Sequence, residues 1–113
     1  MSDINPHAVY QAYIESGNDY ADKRGAAELL EGSLKSLKAQ ITLEAKAAEK
    51  KMSVAEAELI ALSSNKYRDA MKQAIQARTE ANRAQVRYTA TQALWEAQRS
   101  QESSQRAAMR SAP

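Results

Sequence analysis

Apolar and small side chains recur at steps of three and four along most of this chain. Ala27, Leu30, Leu34, Leu37, Ile41, Ala45, Ala48 and Met52 form one such row. Tyr67, Ala70, Ala74, Ala77, Ala81, Ala84, Tyr88, Thr91, Trp95 and Gln98 form a second. Steps of three and four place each row on one face of a helix. The second row alternates them without a miss, as in a coiled-coil seam. Lys35, Lys38, Glu44, Lys46, Glu49 and Lys50 fill the outer face of the first row. No window alternates with period two, so no strand is expected.

Local signals set the expected boundaries. Asn5-Pro6 reads as a helix start, because Asn caps and Pro fits the first helical position. A first helix is expected over about residues 7–51, with a possible kink at Gly17-Asn18. Ser53 and Glu56 stand at capping-box spacing and predict a short helix over about 54–62. Ser64 is placed to cap a last helix over about 65–108, followed by a tail fraying to Pro113. The expected fold is all-α: one domain, residues 1–113, folded as a long antiparallel helical hairpin. The short helix would form the elbow between the two arms. A hairpin turning near residue 58 would set Trp95 beside Tyr20, joining Tyr10 and Tyr13 in one aromatic cluster.

Composition adds a reason to expect self-association. Of 113 residues none is Phe and one is Trp, and much of the apolar content is alanine. So thin a core gives a small domain little burial, and oligomerisation is a common remedy. Leu30, Leu34, Leu37, Ile41, Tyr67, Ala74, Ala81, Tyr88 and Trp95 are the candidate seam, within or between chains. Tyr10, Tyr13 and Tyr20 share one face and are a candidate partner patch.

Charge is unevenly placed. Residues 63–113 carry nine basic and four acidic groups, a net +5 against +2 for the whole chain. Arg68, Lys72, Arg83 and Arg87 share a face roughly opposite the Tyr/Ala seam and are the candidate nucleic-acid contacts. The competing account is a solvated helix exterior. Asp69, Glu80, Glu96 and Glu102 stand three or four residues before Lys72, Arg83, Arg99 and Arg106, and such spacing favours pairs within the helix.

Candidate chemistry is sparse. There is no Cys, and His7 is the one His, so neither disulfides nor a transition-metal site is expected. No Gly-rich phosphate loop or nucleophile motif occurs. The expectation is therefore a protein without catalytic residues, cofactor or small-molecule substrate. The first residues carry no basic and apolar leader, and no apolar run suits a bilayer. A cytoplasmic protein that does not enter membranes is expected.

Several strings resemble a known group. They are Tyr20-Ala21, Glu28-Leu29-Leu30-Glu31, Leu34-Lys35-Ser36-Leu37, Tyr67-Arg68, the run from Glu80 to Tyr88, and Arg99-x-x-Glu102-x-x-x-Arg106-Ala107. Over about residues 20–108 the chain resembles small helical proteins of tailed bacteriophages and prophages found among recombination and replication genes. The resemblance implies an accessory protein of the host cytoplasm and no catalytic residues. Four functions are then open. The first is a self-associating accessory protein working by protein–protein contact, in support of recombination or replication. The second is a nucleic-acid-binding accessory using the basic face. The third is an inhibitor of a host enzyme, with the acidic, Tyr-bearing N-terminal segment as bait. The fourth is a virion structural or scaffolding component.

Overall fold

A computed structural model describes residues 5–111. It is all-α: α1 is Pro6–Ala48, α2 is Val54–Ser63 and α3 is Asn65–Ser111, with no strand among the described residues. Expectations for the first four residues and for the last two lie outside the described residues.

The caps follow from the sequence. Asn5 Oδ1 accepts the His7 amide at 3.0 Å, and the Asn5 carbonyl accepts the Val9 amide at 3.1 Å. Pro6 occupies the first helical position, where its missing N–H has no helical acceptor to lose. Ser53 is extended, and its Oγ accepts the Glu56 amide at 3.1 Å. Ser64 both ends α2 and starts α3. Its Oγ donates to the Ala61 carbonyl at 2.8 Å and accepts the Tyr67 amide at 3.2 Å.

Two boundaries differ from expectation. α1 stops at Ala48 rather than near Lys51, because residues 49–51 are used to turn the chain. The Met52 amide donates to the Glu49 carbonyl at 3.1 Å, and Lys46 Nζ donates to the Met52 carbonyl. Lys46 lies in the last turn of α1, where a cation complements the helix dipole. At the other end α3 continues to Ser111 instead of fraying after Ala108. Ala107, Ala108, Met109 and Arg110 are strong helix formers, and Ser111 Oγ donates to the Ala107 carbonyl at 3.0 Å. As expected of one first helix, α1 runs on through Gly17, in ordinary helical conformation.

The chain divides into two compact units, Lys23–Ala81 and Met1–Asp22 with Asn82–Pro113. In the first, Ala27, Ala57, Ala61, Tyr67, Ala74 and Ala81 are buried. Leu30, Leu34, Leu37 and Ile41 are half-buried beside them. Glu58 of α2 lines a groove with Lys35, Lys38, Ala39, Thr42 and Leu43 of α1. The reversal therefore occupies residues 49–53, and α2 already runs back along α1. It is the first part of the return path rather than an elbow between two arms.

In the second unit α1 and α3 are antiparallel. Tyr10 meets Trp95, Ser16 meets Thr91, and Asp19 meets Arg87. Val9 and Ala84 are buried, while Tyr13, Ser16, Tyr20, Tyr88, Thr91, Trp95 and Gln98 are half-buried. The inward row of α1 here, Val9, Tyr13, Ser16 and Tyr20, keeps the same three-and-four spacing as the leucine row.

Candidate functional site

Within the unit of Lys23–Ala81, the inward leucines are only half-buried and several large apolar side chains lie outside the packed row. The buried positions are alanines with Tyr67 alone among them, and no large side chain is fully buried. Meanwhile Leu29, Leu43, Leu59 and Ile75 are each at least 60% exposed. The contrast is sharpest on α2. Its sequence, VAEAELIALS, is apolar nearly all round, and such a helix is ordinarily buried. Yet only Ala57 and Ala61 are buried, while Val54, Leu59, Ile60 and Leu62 are exposed. At 3.6 residues per turn Leu59 and Leu62 face away from those two alanines.

One ion pair locks this unit. Arg78 Nε donates to Glu31 Oε2 at 2.9 Å and Nη2 donates to Glu31 Oε1 at 2.5 Å. The fork-on-carboxylate geometry fixes the helices in register. It also holds the Glu31 carboxyl below the usual carboxylate range, chiefly through those hydrogen bonds.

In the other unit, aromatic rings centre on Tyr88. Tyr13 stacks on it at 5.5 Å between centroids with 3° between planes, and Tyr20 at 6.0 Å and 27°. A hydrogen bond to Tyr88 pushes the Tyr13 hydroxyl pKa up, assisted by burial and the nearby charge of Glu96. Trp95 lies against Tyr10 at 5.1 Å, tilted by 57°. The expected neighbour of Trp95 was Tyr20. The difference arises because the chain turns at residues 49–53, which shifts the pairing by several residues. Ser16 Oγ and Thr91 Oγ1 meet at 2.6 Å, a polar contact inside the seam.

No protein-family model, curated protein or solved structure matches this chain.

The candidate residues from sequence fall as follows. The seam residues Leu30, Leu34, Leu37, Ile41, Tyr67, Ala74 and Ala81 face into one unit, and Tyr88 and Trp95 into the other. Ala74 and Ala81 are buried against their own chain. Of the tyrosine patch, Tyr13 and Tyr20 stack on Tyr88, and Tyr10 lies tilted against Trp95; Tyr10 alone of the three is exposed. The four basic candidates divide between the units, Arg68 and Lys72 in one, Arg83 and Arg87 in the other. Arg68, Lys72 and Arg83 are exposed, whereas Arg87 Nη2 contacts Asp19 Oδ2 at 3.3 Å across the helix pair.

Sequence reasoning missed Glu31, Arg78, Asp19 and Ser16, and read Gly17 as a possible kink rather than as the gap facing Tyr88. Their signal was present: Glu31 and Arg78 each follow a seam position by one, at matching flanks of the two rows. Reversing one helix brings like flanks together, so this pair was available once both rows were aligned. His7 is exposed, and no group of three or more His, Asp or Glu side chains that could hold a metal converges among the described residues. No helix among them is long and apolar enough to cross a membrane.

Proposed function

We propose that this chain is a non-enzymatic contact protein that associates through its outer apolar side chains, first with a second copy of itself. The observation that carries this reading is α2. Four large apolar residues, Val54, Leu59, Ile60 and Leu62, are exposed on a ten-residue helix of which only Ala57 and Ala61 are buried. Exposed apolar side chains grouped on one short element favour association, since covering them removes apolar area from water. The buried alanines supply little such area of their own. The resemblance to phage and prophage accessory proteins adds a setting, recombination or replication, in which such a contact protein would work.

Sedimentation equilibrium across a micromolar concentration series tests the reading. A mass that rises with concentration, and returns to that of one chain when Leu59 and Leu62 are both changed to Glu, is the expected result. A wild-type chain that stays monomeric throughout the series would overturn self-association. Unchanged circular dichroism in the double variant would show that folding is not what the substitutions altered.

A further inference from the structure

We propose that the C-terminal stretch of α3, residues 99–111, is a binding site for the phosphate backbone of a nucleic-acid duplex. This site is independent of the apolar surface of α2 and uses none of its residues. It also differs from the basic stripe expected from sequence.

The stretch carries Arg99, Arg106 and Arg110 against Glu102 within it and Glu96, which borders it beside Arg99. At 3.6 residues per turn the three arginines fall within about 40° of one another around the helix. Along the axis they are separated by about 10 Å and 6 Å. Ser103 lies on the same face, between the first two. Every residue from Ser103 to Ser111 is exposed, and the arginines are exposed throughout. Glu102 stands 3.8 Å from Arg106, the distance of a weak, solvated pair. Arginine with serine and glutamine beside it is the donor set that grips phosphate oxygens without reading bases.

Two other arginines of α3 are differently employed. Arg78 is forked onto Glu31 and Arg87 contacts Asp19, so both serve the pairing of helices. Arg106 and Arg110 stand instead on a stretch of helix exposed on every face, and Arg99 is exposed just before it.

Duplex is favoured over the two other polyanions such a face could meet. Single strands are gripped by aromatics interleaved with the charges. Here Tyr10, Tyr13, Tyr20, Tyr88 and Trp95 are engaged with one another. A helix lying on an anionic membrane needs a large apolar face opposite its cations. Opposite these arginines stand Gln101, Ser104 and Ala108.

Fluorescence anisotropy with a short labelled DNA duplex of arbitrary sequence tests the site in the full chain. Binding is expected at low salt, with log affinity falling against log salt at a slope of about −2.7 for three phosphate contacts. Changing Arg99, Arg106 and Arg110 together to Gln should abolish it, and each single change should reduce the slope by about one. The same three positions as Lys should retain binding, since the charge is kept. Changing Arg68 and Lys72 to Gln should leave it unaltered. No binding by the wild type, unaltered binding by the triple Gln variant at unchanged helicity, or tighter binding to single strands or phosphatidylserine vesicles would each overturn the proposal.

Discussion

Tyr88 packs on the bare backbone of Gly17: a Cβ built there would lie 3.0 Å from Tyr88 Cε1 and 3.4 Å from Cδ1. The ring enters between Tyr13 and Tyr20, which stand four residues before and three after Gly17. Side chains at those offsets frame the hole that receives a knob in helix pairing. A bulky aromatic in an otherwise alanine-rich row needs such a gap opposite it, and Gly17 provides the gap.

The expected consequence concerns three glycines in one helix. Gly25 and Gly32 have open space where a Cβ would go. Replacing either by Ala should stabilise the chain by about 1 kcal/mol, the ordinary helical preference. Gly17→Ala should instead destabilise it by about 1 kcal/mol, because overpacking outweighs that gain. Tyr88 is held between two other rings and has little room to yield. Urea denaturation of the three variants checks the contrast, and equal stabilisation by all three would exclude the close-packing account.

The Glu31–Arg78 pair predicts a pH dependence. The folded chain holds the Glu31 carboxyl lower than the unfolded chain does. Its contribution is therefore present above the unfolded value, about 4.3, and is lost as pH falls through the folded value. Wild type and Glu31→Gln should differ in denaturation midpoint at neutral pH, the wild type being more stable. The difference should shrink as pH falls through the folded value and Glu31 becomes neutral. A gap of constant size across that range would show that Arg78 distinguishes Gln from Glu by shape alone.

How legible these features were in the sequence depends on what each one rests on. The helices and their caps rest on neighbours in sequence, and Ser53, Ser64 and Asn5 act where their spacing placed them. The leucine row was legible for the same reason. Its continuation in spacing back through Tyr20, Ser16, Tyr13 and Val9 was not, because Ser16 and Lys23 interrupt the apolar pattern. The pairing register was misjudged because it depends on where the turn falls. Residues 49–53 turn the chain, and no strong local signal separates Ala48 from Lys51. Charge pairing was also legible only in part. Spacing points to pairs within one helix, and Glu102–Arg106 stands at 3.8 Å. The tighter pairs, Glu31–Arg78 and Asp19–Arg87, join residues far apart in sequence.

Ser16 and Thr91 place a polar contact within the aromatic unit. Their hydroxyls meet at 2.6 Å, and Thr91 Oγ1 also reaches the Tyr88 carbonyl at 2.9 Å. A polar pair in a helical seam favours one register over slipped alternatives. A double-mutant cycle with Ser16→Ala and Thr91→Val should give a coupling of about 1 kcal/mol. The double variant should be close to wild type in stability, since neither hydroxyl is then left without its partner. Additive single effects would mean that each hydroxyl is satisfied by its own helix alone.

Trp95 reports the register directly, because it is the one tryptophan in the chain. Its ring lies 5.1 Å from Tyr10, whereas Tyr20 is engaged with Tyr88. Tyr10→Ala should open the Trp95 ring to water, shifting its emission to longer wavelength and raising quenching by acrylamide. Tyr20→Ala should leave the emission nearly unchanged while lowering stability, since it strips one side of the Tyr88 ring. A hairpin turning near residue 58 would give the opposite ranking, with Tyr20→Ala moving the emission and Tyr10→Ala silent. The two variants therefore separate a reversal at residues 49–53 from one centred within α2. Both substitutions introduce a good helix former on α1, so a change in emission reads the neighbour of Trp95 rather than loss of the helix that carries it.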